Sequence, residues 1–279
     1  MSDDAIEQDV GVSEDGLRAC DEILRAGDCR SVRYFAEVDS TNSAACRDLV
    51  SGQMCDADRL PRLYLADRQT SGRGRHGRSW LADNGTLTFS ILYGVGEDEQ
   101  SELSEVPLVA LATGVAIART IEYLAAPVSA KIKWPNDVHV AGGKVAGVLV
   151  ESVANHSDRL VVGIGLNVAT QLNQFRESIA QPARSIADVS RGPSDRYAWL
   201  TEIVNQMGHT YRRMRTDPEL LIDEVRCRCM LAGTPVRYQM GEASITGRCI
   251  GIDPNGALLV QTDTGVRPIH CGEVNPIRQ

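Results

Sequence analysis

The chain has 279 residues, of which 43% are hydrophobic and 24% charged, with a formal net charge of −8. This is the composition of a globular chain and excludes a disordered or fibrous one. The acidic balance also argues against a protein whose main role is to coat nucleic acid. The eight cysteines form no CxxC pair and, with five scattered histidines, give no zinc constellation, so reduced, mostly buried thiols are expected.

Residues 1–16, MSDDAIEQDVGVSEDG, are acidic and have neither the basic start nor the apolar core of a targeting peptide. No apolar run approaches the length that crosses a membrane, so a cytoplasmic protein without membrane association is expected. Residues 13–26, SEDGLRACDEILRA, predict a short amphipathic helix. Only about 30 residues precede the first motif, too few for a complete helix-turn-helix domain.

DSTN (39–42) reads as a helix N-cap whose Ser40 and Thr41 hydroxyls are also placed to meet a polar ligand, and a helix is expected from Ser43 to Val50. An apolar run, Leu63 to Ala66, then leads into SGRGRHGRSW (71–80), three arginines and a histidine among three glycines. The alternating Leu87, Phe89, Ile91 and Tyr93 that follow predict a half-buried strand, so the basic segment is a loop inside a folded domain and not a tail. Glycine lets a backbone approach a ligand, and arginine offers a permanent charge in a planar fork. The loop by itself fits anion binding, nucleic-acid contact or an ordinary solvated surface.

Residues 101–126 predict a long buried helix, with Pro107 in its first turn and Leu108, Leu111, Val115 and Ala118 at helical spacing. KIKWPNDVHV, KVAGVLVES and RLVVGIGLNV are strands separated by short turns, which predicts antiparallel neighbours and an α+β sheet with helices on one face. KWPND (133–137) ends a strand with a lysine, an aromatic ring, a proline and two polar side chains. Lys144, Gly147, Gly163, Gly165 and Asn167 fall on adjacent strands, where glycine marks either a bulge or the close approach of a flat ligand. GIGLNV lacks the third glycine of a dinucleotide fingerprint, and no phosphate-loop motif occurs.

Leu200, Ile203, Val204, Met207, Tyr211 and Met214 mark one face of a helix within 194–215, and Pro218 to Arg228 predicts another. After Gly233, four short strands with turns at GEA, DPNG and DTG predict a small SH3-like β-barrel.

DSTN, QTSGRGRHGRSW, KWPND, KVAGVLVE and GIGLNV, in this order and spacing, resemble the motifs of biotin-protein ligases, and GIDPNGALLV with the closing GEV resembles their C-terminal domain. The resemblance covers residues 33 to 279 and implies a mixed or antiparallel, class II synthetase-like catalytic domain over 31–231 with an SH3-like domain over 232–279. Residues 1–30 are expected to form an N-terminal extension, partly helical or disordered. The family joins biotin to the α-phosphate of ATP, releases pyrophosphate, and passes the biotinyl group from biotinoyl-AMP to one lysine of a carboxyl carrier domain. The implied partners are therefore biotin, ATP with Mg²⁺ and a biotin carboxyl carrier domain, with no prosthetic group.

Carried over by motif, Ser40, Thr41, Gln69, Gly72, Gly163 and Gly165 are implied around biotin. Arg73 and Arg75 are implied as loop arginines that close on the biotinyl-phosphate, with Arg75 holding the adenylate from water. Lys133 is implied as the lysine that meets carboxylate and phosphate during activation. Trp80, Asn136, Lys144 and Asn167 are implied on the nucleotide side, and Asp137 either beside magnesium or the incoming amine or as a brace of the turn. His76 stands where several relatives have arginine. A DNA-binding domain like that of repressor relatives is not seen, so specific DNA binding is not expected, and either a monomer or a homodimer fits. Lipoate ligation on the same architecture, or a ligand sensor without chemistry, are the competing readings.

Overall fold

The structure is a computed structural model that describes residues 5–52, 59–94, 105–175, 178, 181–240 and 243–277. Its first eight strands are β1 (Ile6–Gln8), β2 (Ser31–Val38), β3 (Arg62–Gln69), β4 (Thr86–Gly94), β5 (Ala130–Lys133), β6 (Asp137–Val140), β7 (Gly143–Val153) and β8 (His156–Asn167). They form one sheet in the order β1-β2-β3-β4-β8-β7-β6-β5. The β1–β2 and β2–β3 pairs are parallel, and the other pairs are antiparallel. Helices α1 (Glu14–Ala26) and α2 (Thr41–Val50) make the two crossovers that parallel pairing requires. The hairpin from β6 to β7 turns on Ala141 and Gly142, whose φ values of 47° and 79° give the twist that a two-residue turn needs.

Helix α1 begins at Ser13, whose side chain accepts from the Gly16 amide, and ends at left-handed Gly27. It packs with α3 (Glu105–Leu124) and α4 (Arg196–Thr216) over one face of the sheet, where Ile23, Leu65, Phe89, Ile117, Ile164 and Ile203 share a core. The start of the helix expected at 101 lies partly outside the described residues. α3 has the length and hydropathy of a membrane span over Val106–Leu124, contrary to the expectation that no run approaches that length, but it is largely buried between sheet and helices. The shorter α2 lies on the opposite face, with Ala45 and Leu49 against Tyr64, Leu92 and Val161.

β4 departs from the half-buried strand that its alternation suggests. Leu87, Phe89 and Ile91 enter the main core, but Thr88 and Ser90 on the other face are also buried, beneath α2 and the cavity described below. The thiols depart as well: of the seven cysteines described, only Cys20, Cys29 and Cys249 are buried, and Cys227 and Cys271 are exposed.

α5 (Pro218–Arg228) leads to a second, antiparallel sheet of β9 (Pro235–Met240), β10 (Ala243–Ile252), β11 (Leu258–Thr262), β12 (Gly265–Ile269) and β13 (Val274–Pro276), ordered β12-β11-β10-β9-β13. Its apolar face joins one core with Leu111 and Val115 of α3, Ile132 of β5, Trp134 and Leu221 of α5. That shared core fixes the terminal sheet against the end of β5, and its last loop reaches the cavity.

Candidate active site

Register across the large sheet explains where the site lies. Thr88 pairs with Gly165, Gly165 with Gly147, Gly147 with Asp137, and Asp137 with Lys133, so one row crosses five strands on the face away from the main core. A neighbouring row contains Ser90, Gly163 and Leu149. Small and polar side chains make this half of the face a shallow floor, above which lies a cavity of about 580 Å³. Of the residues carried over by motif, Ser40, Thr41, Gln69, Arg73, Arg75, Trp80, Lys133, Asn136, Asp137, Lys144, Gly163, Gly165 and Asn167 all line it.

Gly72 does not line the cavity and supports it from behind. A Cβ there would come within 2.5 Å of the Trp80 carbonyl oxygen, and the Gly72 carbonyl accepts from the Trp80 amide at 2.8 Å. With a further bridge between Arg73 and Ser79, and Gly74 donating to the Arg78 carbonyl at 2.7 Å, residues 72–80 form a narrow tongue. Its tip turns at His76 and Gly77, both in the left-handed region, and His76 is exposed.

At one end of the cavity, Ser40 caps α2 through the Ser43 amide. The Thr41 amide and hydroxyl both donate to Gln69 Oε1, at 2.8 and 3.2 Å. Ser90 Oγ lies 2.7 Å from Thr41 Oγ1 and 2.6 Å from Asn42 Oδ1, and Asn42 Nδ2 donates to Glu151 at 2.8 Å. Asn42, Ser90 and Glu151 complete a polar network that motif reading missed. Asn42 and Glu151 were visible at the ends of DSTN and KVAGVLVE, whereas Ser90 lay in a strand read for its apolar alternation. The space over Gly163 is filled by Asn42, since a Cβ on that glycine would come within 2.0 Å of Asn42 Oδ1.

Toward the other end, the Trp80 indole covers Gly165, and Lys144 Nζ sits 5.4 Å from the indole centroid. Trp80 Nε1 is buried with no protein acceptor. Asn167 donates to the Arg184 carbonyl at 3.2 Å, and Asn136 donates to the Val148 carbonyl at 2.7 Å. Asp137 is paired with Lys144 at 2.7 Å. Among the described residues no group of three or more His, Cys, Asp or Glu side chains is gathered to hold a metal ion.

The five arginines and lysines that line the cavity divide into two sets. Arg73 pairs with Glu151, Arg78 with Glu273 and Lys144 with Asp137. Arg75 instead donates to Asn136 Oδ1 at 3.1 Å and to the Gly272 carbonyl at 3.2 Å. Lys133, buried at 6% exposure, donates to Gln181 Oε1 at 3.1 Å and Asn275 Oδ1 at 2.8 Å. Burial pulls both cations below their ordinary pKa, the Asp137 and Glu273 carboxylates partly opposing it. Two cations held by neutral oxygens leave uncompensated positive charge where an anionic ligand can gain most from it.

Comparison with known proteins identifies the chain's relatives. The biotin/lipoate A/B protein ligase family model matches residues 38–167, and the biotin protein ligase C-terminal domain model matches 232–275. The chain is 30% identical over 92% of its length to the biotin–acetyl-CoA-carboxylase ligase of Mycobacterium tuberculosis, 94% of which is covered. It is 31% identical over 76% of its length to the bifunctional ligase/repressor BirA of Bacillus subtilis, and the match spans 65% of that relative. The biotin protein ligase of Aquifex aeolicus, solved in complex with biotin and ATP, superimposes with a TM-score of 0.74 at 28% identity, covering 89% of this chain and 99% of that one. The chain belongs to the biotin protein ligase family of enzymes.

Proposed function

We propose that this protein activates biotin with ATP as biotinoyl-AMP, releasing pyrophosphate, and transfers the biotinyl group to one lysine of a biotin carboxyl carrier domain in the cytoplasm. The observation that carries the reading is the pair of cations, Arg75 and Lys133, whose acceptors are all neutral. Activation brings a carboxylate against a triphosphate, and fixed cations offset that repulsion without a protein nucleophile. In this reading Lys133 meets the carboxylate and α-phosphate, Arg73 and Arg75 close over the biotinyl-phosphate, and Ser40, Thr41 and Gln69 take the polar head of biotin. Trp80, Asn136, Lys144 and Asn167 form the nucleotide side, and Gly72, Gly163 and Gly165 keep the walls close. Magnesium enters as the counter-ion of ATP, because Asp137 is a single carboxylate already shared with Lys144. The catalytic unit extends to residue 231, with β1 and α1 built into it, and residues 232–279 form the terminal unit.

The test is pyrophosphate release by the purified protein with ATP, Mg²⁺ and either biotin or lipoate, before and after a carrier domain is added. Biotin-dependent release followed by labelling of one carrier lysine is expected. Release with lipoate alone would transfer the reading to lipoate ligation, and binding of biotin with no release would leave a sensor. Lys133→Met is expected to cut release by roughly 100-fold or more, as loss of a charge-stabilising donor does elsewhere.

A further inference from the structure

Lys133 is held by two side chains that lie outside the motifs. Its two acceptors, Gln181 Oε1 and Asn275 Oδ1, belong to primary amides, and an amide offers either an oxygen or an NH₂ group depending on which way it turns. A buried ammonium needs the oxygen. Turned the other way, each amide would set NH₂ against the NH₃⁺ of a buried lysine, which is repulsive.

The orientation is fixed by Glu273. Its Oε1 accepts from Gln181 Nε2 at 2.9 Å and from Asn275 Nδ2 at 3.2 Å, while its Oε2 pairs with Arg78. Because a carboxylate accepts only, it holds the two NH₂ groups toward itself and leaves both oxygens facing Lys133. We propose that Gln181, Asn275 and Glu273 are positioning residues for Lys133, with Glu273 setting the turn of the two amides so that the terminal sheet aims the lysine at its anion. Glu273 and Asn275 come from the last loop and strand of the terminal sheet, and Gln181 from the loop before Lys144's partner strand segment at Ala183. The tongue joins the same chain of contacts through Arg78, the residue after its turn, so one carboxylate links the tongue to the lysine that faces the cavity.

The inference rests on the ligase reading for what Lys133 acts upon, so its test carries one readout that needs no activity. Glu273→Gln replaces the acceptor-only group with one that no longer dictates how the amides turn. It should lower kcat for biotin-dependent pyrophosphate release about tenfold, as expected for a misdirected hydrogen bond to a charged group, with KM for biotin within about twofold. It should also speed acylation of Lys133 by an amine-reactive ester at fixed pH, read by mass spectrometry. Adding Asn275→Asp to Glu273→Gln should recover both readouts, because a carboxylate offers Lys133 an oxygen whichever way it turns. A role for Glu273 confined to its ion pair with Arg78 would not be rescued in this way. If the double variant stays as impaired as Glu273→Gln, or Glu273→Gln changes neither readout, the inference is overturned. If Lys133 reactivity follows the expected pattern but the unsubstituted protein releases no pyrophosphate with biotin, the ligase reading fails and the positioning of Lys133 stands.

Discussion

Trp80 lies directly over Gly165, so closely that a Cβ on the glycine would come within 2.3 Å of the indole Cε2. The ring can relieve such a clash by swinging into the cavity that it lines. Gly165→Ala is therefore expected to displace Trp80 with a modest loss of overall stability, because the space taken is the ligand's. If Trp80 is the wall of the nucleotide subsite, KM for ATP rises roughly tenfold or more while biotin binding, measured by calorimetry, changes little. An unchanged KM for ATP would remove Trp80 from that role.

Arg75 makes its contacts with neutral oxygens only, so its loss strands no buried carboxylate. Arg75→Gly is expected to keep the fold, with a melting temperature within a few degrees of the parent, and to hold biotinoyl-AMP less well. The observable is labelling of unrelated lysines in a mixed protein sample supplied with biotin and ATP. Labelling confined to the carrier domain would show that the tongue is not what retains the adenylate. Arg73→Gly differs in kind, because it frees Glu151 next to Asn42, and a higher KM for biotin is expected.

What could be read from the sequence followed from how local each signal is. The antiparallel pairing of β6, β7 and β8 was legible because short turns such as Ala141-Gly142 fix both partner and direction, whereas the hairpin of β5 and β6 lay inside a run read as one; α3 and α4 were legible from their helical spacing. The parallel placement of β1, β2 and β3 has no such mark, since crossovers leave the order open. β4 was misread because Thr88 and Ser90 look like solvent-facing positions, and only the tertiary structure places α2 and the cavity over them. The motifs located the cavity's cations, but they carried no information about what each cation touches. Thus Arg75 and Lys133 look no different in sequence from Arg73 and Lys144. Gln181 and Asn275 were invisible because their role depends on contacts across 48 and 142 residues of chain.

His139 gives the clearest pH dependence. It is 7% exposed, neither ring nitrogen has a partner, and burial, opposed by Asp137 and reinforced by Lys133 and Lys144, lowers its pKa from 6.5 to about 4. The unfolded chain therefore binds the proton more readily between these values, so stability is full above about pH 6.5 and falls as the pH drops toward 4. The loss from this group is about 3 kcal/mol at most. Urea unfolding of His139→Phe across pH 4 to 7 should show a flatter acid limb than the parent. Equal slopes would mean that His139 is not the group responsible.

Trp134 tests how far the terminal sheet and the site depend on each other. The residue follows Lys133, is 1% exposed, and packs in the core shared by α3, α5 and the terminal sheet, while its Nε1 donates to the Gly256 carbonyl at 2.9 Å. Trp134→Phe keeps much of the apolar contact but leaves that carbonyl without its donor, at a cost of about 1–3 kcal/mol. Trp134→Ala also opens a cavity, for about 3–5 kcal/mol. Because the core is shared, the damage should fall on α5 and β9 to β13, and amide exchange should speed there while β2, β3 and β4, whose core is separate, remain protected. Pyrophosphate release should fall in step with that local opening, since Glu273 and Asn275 leave Lys133 when the sheet loosens. Faster exchange across β9 to β13 with undiminished release would show that the terminal sheet is not needed to place the lysine.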